Sequence, residues 1–329
     1  MEEVLKVSNL TCELEQQRNK KQQLLVQGVS FSLYSKKTLA LVGESGSGKS
    51  TTALALLGLL EQFSSFKITG SVIFEGHNLL TLSEKKLRKI RGANVGMIFQ
   101  DPAASLNPVF SIGQQVAEMW LVHRSSSVEE AEEQASLMLA RVGLQKIKNF
   151  FNTYPHELSG GMKQRVMIAM SLICSPKILI ADEPTTALDL TVQKEILLLL
   201  KELQRENGLA LLIITHDMGV VAEMADEVAV MYASEIVEFG PIKSLFEKRL
   251  HPYTQALFAS RPTPQMRKKT LPAIPGTAPS AQNRPSGCPF HNRCPFAMPK
   301  CKEGAVPKFY DKDNKEHWAK CWLLEGEKL

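Results

Sequence analysis

The chain has 329 residues, of which 44% are hydrophobic and 22% are charged. This length accommodates about two globular domains, and the composition excludes a wholly disordered, collagen-like or coiled-coil protein. The net charge of +5 is carried by the C-terminal part: residues 262–329 contain 12 Lys or Arg and 6 Asp or Glu, whereas residues 1–261 contain 27 and 28. A uniformly basic face for nucleic acid is therefore not expected.

The apolar stretches are too short to cross a membrane. The longest, such as Ala53–Leu60 and Gly208–Ile214, fall well below the roughly 18–20 residues that a membrane-spanning helix needs. The N-terminal sequence MEEVLKVSNL lacks the basic and apolar regions of a secretory signal. We therefore expect a cytosolic protein, in which the six cysteines stay reduced unless they bind a metal or act in catalysis.

Three apolar runs predict buried parallel strands: TLALV at Thr38–Val42, ILIA at Ile178–Ala181 and ALLIIT at Ala210–Thr215. A helical pattern, TTALALLGLL, follows the first run. Another pattern extends from about Thr191 to Asn207, ends at Gly208 and lies between the other two runs. This alternation predicts an α/β fold, with a parallel sheet covered by helices.

The segment from about Ser83 to Leu158 has long helical patterns and no strand pattern after Met97–Phe99, which predicts a helical insertion. Beyond Gly240, a series of prolines predicts an extended, poorly packed segment, and we place the domain boundary there. These prolines are Pro262, Pro264, Pro272, Pro275, Pro279 and Pro285.

A phosphate-binding loop is predicted where GESGSGKS fits G-x-x-x-x-G-K-[ST], after a predicted strand and at the start of a predicted helix. Its glycines let successive backbone N–H groups point inward at phosphate oxygens, and the helix N-terminus adds partial positive charge. Lys49 would reach the β- and γ-phosphates, Ser50 would bind Mg²⁺, and Thr51 would help to hold the α-phosphate. The candidate ATP-binding residues are Gly43, Glu44, Ser45, Gly46, Ser47, Gly48, Lys49, Ser50 and Thr51.

Two adjacent carboxylates, Asp182 and Glu183, end the strand pattern KILIADE. At a strand terminus, one carboxylate can hold Mg²⁺ through water while the other polarises the attacking water. An apolar run that ends in Asp-Glu is a weak signal by itself. Its position downstream of a phosphate loop makes it a strong one.

A second anion-binding helix terminus is predicted between these two motifs, at LSGGM. Ser159 can cap the following helix, and two glycines expose backbone N–H groups at its positive end. The five residues are Leu158, Ser159, Gly160, Gly161 and Met162. A capped helix with a flexible entry would account for the serine but not for both glycines.

On these three motifs, residues 1–260 resemble the ATP-binding cassette (ABC) family, with Walker A at Gly43–Thr51, Walker B at Ile178–Asp182 and the signature at Leu158–Met162. The resemblance implies a P-loop NTPase (RecA-like) core, a helical subdomain at about 83–165 and an antiparallel β subdomain. Residues 261–329 would then form a proline-rich linker and a Cys-rich C-terminal domain.

The resemblance also implies individual roles. Gln100, in IFQDP, would sense Mg²⁺ and contact the membrane partner, while Asp182 would hold Mg²⁺. Glu183 would orient the attacking water, and His216 would support the γ-phosphate. Ala187–Asp189 would be the D-loop. Two cassettes would meet head to tail, so that each ATP lies between the phosphate loop of one subunit and the signature of the other.

The C-terminal third resembles the ATPase subunits of dipeptide, oligopeptide and nickel importers. The residues that carry this resemblance are HDMGVVAEMADEVAVMY at 216–232, EIVEFG at 235–240, HPYT at 251–254, IPG at 274–276 and PSGCPFHNRC at 285–294. Ser234 stands where this branch usually has glycine, which predicts a slightly altered hairpin turn without functional consequence.

This branch implies a peripheral subunit on the cytoplasmic face of the cell (inner) membrane that couples ATP hydrolysis to import of peptides or nickel. Its implied partners are a second, distinct ABC ATPase subunit, two multi-pass membrane permease subunits and a separate substrate-binding protein, with no nucleic acid. The alternative is a soluble cassette ATPase that acts on DNA, translation or cluster assembly. Only 57 residues separate Gln100 from Leu158, too few for the long coiled coils of DNA-repair cassettes.

Four cysteines, Cys288, Cys294, Cys301 and Cys321, lie in a tail that we expect to lack a sufficient core, which favours a metal centre that supplies folding energy. The C-x₂-C pairs of zinc ribbons are absent, so a four-iron four-sulfur cluster fits better than zinc. The resemblance favours the same cluster. Reduced structural thiols and a redox-sensing module stay open as alternatives. His291 and His317 are candidate substitute ligands, although we expect them at the surface. Cys12 and Cys174 are expected to be structural, the latter on the signature helix.

One departure from the family concerns the adenine. An aromatic residue usually lies about two dozen positions before the phosphate loop and stacks on the base, but the stretch TCELEQQRNKKQQLLVQ contains none. Leu14 or Val26 would offer apolar contact only. We therefore expect a modest preference for ATP over GTP.

Overall fold

The computed structural model describes residues 2–15, 22–60, 65–186, 188–260 and 274–326. It divides the chain into two compact units. Unit 1 comprises Met1–Leu5, Leu33–Thr38 and Thr81–Ile214. Unit 2 comprises Lys6–Ser32, Leu39–Leu80 and Thr215–Leu329.

The strands of the described residues are β1 (Glu3–Glu15), β2 (Gln22–Tyr34), β3 (Thr38–Val42), β4 (Phe66–Phe74), β5 (His77–Asn78), β6 (Val95–Ile98), β7 (Ile178–Asp182), β8 (Ala210–Thr215), β9 (Glu227–Tyr232), β10 (Glu235–Pro241), β11 (Phe309–Tyr310) and β12 (Trp318–Ala319). The α-helices are α1 (Lys49–Leu56), α2 (Glu84–Ile90), α3 (Pro102–Ser105), α4 (Ile112–His123), α5 (Val128–Arg141), α6 (Gly160–Leu172), α7 (Leu190–Asn207), α8 (Met218–Met224), α9 (Ile242–Glu247) and α10 (Pro252–Ala259). None of these helices is both long and apolar enough to span a membrane.

Unit 1 is built on parallel pairing of β7 with β6 and β8. Val95 is in register with Ile178, and Ile178 with Ala210. Strands buried on both faces are expected to be continuously apolar, and every residue of β7 and β8 is buried. The runs ILIA and ALLIIT therefore predicted both strands correctly, and the strand expected at Met97–Phe99 ends one residue earlier, at Ile98.

The helices of unit 1 begin at polar caps. Ser111 and Gln114 form a reciprocal capping box at α4, and the Ser127 side chain accepts a hydrogen bond from the Glu130 backbone N–H at α5. Helix α7 ends at Gly208, whose φ of +66° is the left-handed conformation that glycine adopts most readily. The helix predicted from about Thr191 to Asn207 is thus confirmed, with its start one residue earlier.

Unit 2 contains a four-stranded sheet in the order β2-β1-β4-β5 and a second group of strands around β9. Strand β9 pairs in parallel with β3 and antiparallel with β10. All five residues of β3 are buried, as its apolar sequence predicted. Helix α1 follows β3 after a six-residue loop, which is the connection that carries the phosphate-binding motif.

The C-terminal segment extends this second group of strands. Strand β12 pairs antiparallel with β10, with Glu238 opposite Ala319 and Phe239 opposite Trp318, and β11 pairs with β12. Buried apolar residues beside these strands form a small core made of Leu250, Ala319, Cys321 and Leu324. The expectation that the tail lacks a sufficient core is therefore wrong for this part, because strands of two residues leave no periodicity to detect.

A network of buried polar groups is centred on Glu238 of β10. His317 is fully buried, with its Nε2 2.8 Å from the Glu238 carboxylate. Glu238 also accepts the backbone N–H groups of Leu250, at 2.8 Å, and of His251, at 2.9 Å. The expected surface position of His317 is wrong. Gly240 makes room for its ring, since a Cβ there would lie 2.7 Å from the His317 Cδ2.

The charge of His251, whose backbone N–H belongs to this network, depends on pH. Burial lowers the pKa of His251 from 6.5 to about 4, against the opposing effect of Glu238 and Glu235. Its Nδ1 accepts the Tyr253 backbone N–H at 3.0 Å and caps α10. In the unfolded chain the imidazole binds a proton below about pH 6.5, whereas in the folded chain it does so only below about pH 4.

The stabilising contribution of neutral His251 is thus fully present above pH 6.5 and is lost as the pH falls towards 4. We expect the free energy of unfolding in urea to fall by about 2 kcal/mol between pH 7.5 and pH 5 in wild type. The control His156→Asn, which changes an exposed histidine, should show the same fall. The His251→Asn variant, which keeps a capping oxygen, should lose about 2 kcal/mol less between pH 7.5 and 5. An unchanged pH dependence in His251→Asn would contradict the assignment.

Candidate nucleotide-binding site

The phosphate loop in unit 2 is shaped by its glycines. Gly46 and Gly48 have φ of +78° and +100°, in the left-handed region. A Cβ at Gly48 would lie 2.4 Å from the Leu25 carbonyl oxygen, and one at Gly43 would lie 2.1 Å from the Met231 carbonyl oxygen. The loop therefore curls against two neighbouring strands at distances that only glycine permits.

Lys49 lies inside this curl. Its side chain is buried, and its Nζ donates hydrogen bonds to the carbonyl oxygens of Gly43, at 2.8 Å, and Glu44, at 2.9 Å. The ammonium group thus closes the loop and brings a positive charge to the N-terminus of α1. Such an arrangement of backbone N–H groups, helix dipole and lysine is suited to binding phosphate oxygens.

Residues distant in sequence hold the loop from outside. The Tyr253 hydroxyl accepts the Glu44 backbone N–H at 2.9 Å, and the Ser234 backbone N–H donates to the Ser47 carbonyl oxygen at 3.0 Å. Ser234 has φ of +77°, and its hydroxyl donates to the Leu24 carbonyl oxygen at 2.7 Å. The residue at the predicted altered hairpin turn is therefore in direct contact with the phosphate loop.

The proposed apolar contacts for adenine differ in accessibility. Val26 is fully buried, whereas Leu14 is half-buried. Of the two, only Leu14 has surface to offer to a base.

The carboxylate motif lies in unit 1, at the end of β7. Asp182 is buried, and Glu183 has φ of +48°, an unusual conformation for a glutamate that is typical of functional sites. One oxygen of Glu183 accepts hydrogen bonds from the Gln100 amide, at 3.1 Å, and the Thr186 hydroxyl, at 2.8 Å. Two candidate residues 83 positions apart are thus brought together.

Thr186 was not among the predicted residues. Its signal in the sequence was a hydroxyl three positions after the glutamate, within the turn that follows β7. Together, Gln100 and Thr186 fix the orientation of the Glu183 carboxylate.

The signature motif, also in unit 1, begins α6. The Ser159 side chain accepts the Met162 backbone N–H at 3.4 Å, as predicted for an N-cap, and both residues are exposed. A Cβ at Gly161 would lie 2.5 Å from Val192 of α7, whereas one at Gly160 would meet only Leu188 at 3.7 Å. Helix packing therefore requires the second glycine, and the first is not explained by packing.

The remaining candidates lie at helix starts. Asp189 caps α7 by accepting the backbone N–H groups of Thr191 and Val192, each at 3.0 Å. Ala187 lies outside the described residues. His216 is exposed, directly after β8 and before Asp217, which caps α8.

The four tail cysteines lie in unit 2, where Cys288, Cys301 and Cys321 are buried and Cys294 is half-buried. Burial raises the pKa of the Cys321 thiol to about 12, with smaller contributions from the thiols of Cys288, Cys294 and Cys301. Burial likewise raises the pKa of Cys288 to about 11. The Cys288 backbone N–H donates to the Cys301 carbonyl oxygen at 2.9 Å. Within the described ranges, no group of three or more His, Cys, Asp or Glu is arranged to hold a single metal ion.

The other candidates of the tail and the two remaining cysteines are placed as follows. His291 is half-buried, with Nδ1 2.8 Å from the Cys288 carbonyl oxygen. Cys12 and Cys174 are both buried, as structural residues should be. Cys174 does not lie on the signature helix, which ends two residues earlier at Leu172.

Comparison with known proteins identifies the family in which these features occur. The family described as "ABC transporter" matches residues 26–186, and the family described as "Oligopeptide/dipeptide transporter, C-terminal region" matches residues 237–301. The dipeptide transport ATP-binding protein of Bacillus subtilis is 45% identical over 325 residues, 99% of this chain and 96% of that protein. The chain belongs to the ABC transporter family.

Further relatives of this ABC protein agree. A probable peptide ABC transporter ATP-binding protein of Sinorhizobium fredii is 49% identical over 296 residues, 90% of this chain and 88% of that protein. A dimeric, post-hydrolysis ATP-binding cassette bound to ADP and Pi has a TM-score of 0.64 and 28% identity, covering 72% of this chain and 98% of that one. The expected P-loop α/β fold is confirmed, and this ABC protein is an ATPase.

Proposed function

We propose that this chain is the ATP-hydrolysing subunit of a peptide importer, bound to the cytoplasmic face of the cell membrane. The observation that carries the proposal is the similarity along nearly the whole chain to a dipeptide transport ATP-binding protein, which includes the C-terminal region after the cassette. Peptide is favoured over nickel as cargo because the relatives are named for dipeptide, oligopeptide or peptide transport.

The phosphate loop would bind ATP through the backbone N–H groups of residues 43–51 and the ammonium group of Lys49. The loop is already curled around Lys49, and on binding the ammonium group would exchange contacts within the loop for phosphate oxygens. The hydroxyl of Ser50, the carboxylate of Asp182 and the amide oxygen of Gln100 are hard oxygen donors of the kind that Mg²⁺ prefers. Mg²⁺ held by donors of this kind would neutralise phosphate charge.

Glu183 is the group that we propose orients the attacking water. Its carboxylate is held by Gln100 and Thr186, and its backbone has a positive φ of the kind that is found at functional sites. A fixed carboxylate can accept a proton from water as it attacks. His216, exposed beside the capped start of α8, would support the γ-phosphate.

The signature helix is proposed to meet the ATP of a second cassette. Ser159 and Gly160 are exposed at the N-terminus of α6, a helix of 13 residues whose dipole favours an anion there. The dimeric cassette bound to ADP and Pi supports this pairing. ATP would then join two subunits, and hydrolysis would remove charge that holds them together. The partner is proposed to be a related, distinct subunit.

The remaining partners are two multi-pass permease subunits and a separate substrate-binding protein. Unit 1 offers exposed apolar residues to the permeases: Phe99, adjacent to Gln100 in sequence, is 42% exposed, and Val109 and Phe110 are 70% and 48% exposed. Exposed apolar residues are the kind of surface that a partner protein can cover.

We further propose that Cys288, Cys294, Cys301 and Cys321 hold a four-iron four-sulfur cluster, with zinc as the alternative. The support for this proposal is the donor set: four cysteine thiols in one C-terminal segment, with Cys288 and Cys301 joined by a backbone hydrogen bond. The described residues show no group of three or more ligands arranged for a single metal ion, so the thiols would have to move together to hold the cluster. Burial keeps at least Cys288 and Cys321 protonated at neutral pH. A metal centre would convert them to thiolates, the form that binds iron. The packed strands β11 and β12 mean that such a centre would add to the stability of the tail rather than supply all of it.

Metal analysis tests the cluster. Wild type purified without oxygen should contain about four iron and four acid-labile sulfide per chain, and the Cys288→Ser/Cys321→Ser variant should contain little of either. Cys174→Ser, a buried cysteine outside the tail, serves as the control and should retain iron. About one zinc per wild-type chain without sulfide would establish zinc instead, and absence of both metals would contradict the proposal.

A substitution at Glu183 tests the catalytic role. Glu183→Gln keeps the size of the side chain and loses the proton acceptor, so the rate of phosphate release should fall about 10²- to 10⁴-fold while the affinity for MgATP is kept. Glu132→Gln, on the exposed face of α5, should hydrolyse ATP at the wild-type rate. Hydrolysis by Glu183→Gln at a near wild-type rate would refute the assignment.

The importer itself is tested by mass spectrometry of the proteins that copurify with the tagged chain from gently solubilised membranes. We expect two multi-pass proteins and a second cassette ATPase. Recovery from the soluble fraction alone, with nucleic acid or assembly factors, would contradict the importer and establish a soluble ATPase.

A further inference from the structure

A carboxylate lies within the phosphate loop itself. Glu44 follows the first glycine of the motif, and a negative charge at this position would repel the phosphates that the loop binds. In the structure, both oxygens of Glu44 accept hydrogen bonds from Arg293, at 2.7 Å from Nη1 and 3.1 Å from Nη2. This two-point pairing is the strongest geometry available to arginine and a carboxylate.

Arg293 belongs to the C-terminal segment and is held there rigidly. Its Nε donates to the Pro275 carbonyl oxygen at 2.8 Å, and its Nη1 also donates to the Tyr232 hydroxyl at 3.2 Å. The guanidinium group is largely buried, with 8% of the side chain exposed. Since the Pro275 and Tyr232 contacts hold the guanidinium group independently of Glu44, the arginine can impose a position on the loop.

Aromatic packing reinforces the same connection. The ring of Phe290, three residues before Arg293, lies 5.3 Å from the ring of Tyr232 and 5.4 Å from that of Tyr253. The Tyr253 hydroxyl accepts the backbone N–H of Glu44. The C-terminal segment thus holds both the main chain and the side chain of this loop residue.

We infer that Arg293 is a positioning residue for the nucleotide site: by pairing with Glu44 it holds the phosphate loop in its ATP-binding shape and cancels the charge of the carboxylate. ATP binding then depends on an intact C-terminal segment. A change in that segment would move Arg293, which precedes Cys294, and would thereby alter the loop. The inference rests on the proposed ATP-binding role of the loop.

The test uses the full chain, titrated with Mg²⁺ and the non-hydrolysable analogue AMP-PNP. Arg293→Gln should bind the analogue about tenfold more weakly than wild type, since a hydrogen-bonded charge pair is broken. In the copurified transporter, most of the loss of kcat/KM for ATP should appear in KM. The matched control is Arg284→Gln, because Arg284 pairs with Glu235 at 2.6 Å in the same segment. Its affinity should stay within about twofold of wild type.

A second substitution separates positioning from general stability. If Arg293 acts through the charge of Glu44, removing that charge makes the arginine dispensable. The double variant Arg293→Gln/Glu44→Gln should therefore bind the analogue about as tightly as Glu44→Gln alone. Should Arg293→Gln not fold, Arg293→Lys is the decisive variant. It keeps the positive charge and loses the two-point hydrogen bond, so its affinity for the analogue should fall about threefold.

Three results would overturn the inference: unchanged affinity in Arg293→Gln or Arg293→Lys, equal losses in Arg293→Gln and Arg284→Gln, or additive losses in the double variant. Absence of binding to wild type would instead remove the proposed ATP site and the inference with it.

Discussion

The close approach of the phosphate loop to its two neighbouring strands is the constraint on which the rest of the site depends. Gly43 and Gly48 allow the loop to lie against carbonyl oxygens of Met231 and Leu25, at distances that exclude any Cβ. Lys49 then closes the curl from inside. The loop is thereby shaped for phosphate before nucleotide binds, and pre-organisation of this kind lowers the cost of binding.

The C-terminal segment is part of this construction rather than an appendage. Strand β12 extends the strand group of β9 and β10. His317, directly before β12, forms a buried pair with Glu238 of β10. From this base, Arg293 reaches the phosphate loop. This segment therefore contacts the loop that is proposed to bind ATP.

The central strands and the motifs were predictable because their signals are local. Strands β3, β7 and β8 are continuous apolar runs, and α7 ends at a glycine. The contacts that cross the sequence were not predictable. Arg293 and Glu44 are 249 positions apart, and the two-residue strands of the tail carry no periodicity. The burial of His317 follows from a strand pairing that local patterns do not encode.

Backbone hydrogen–deuterium exchange of residues 43–51 tests most directly that this loop is the phosphate site. On addition of MgATP, exchange of the amides in this segment should slow strongly, because phosphate oxygens accept their hydrogen bonds. Exchange in α5, on the helical part of unit 1, serves as the internal reference and should not change. Equal exchange of the loop with and without MgATP would contradict the account.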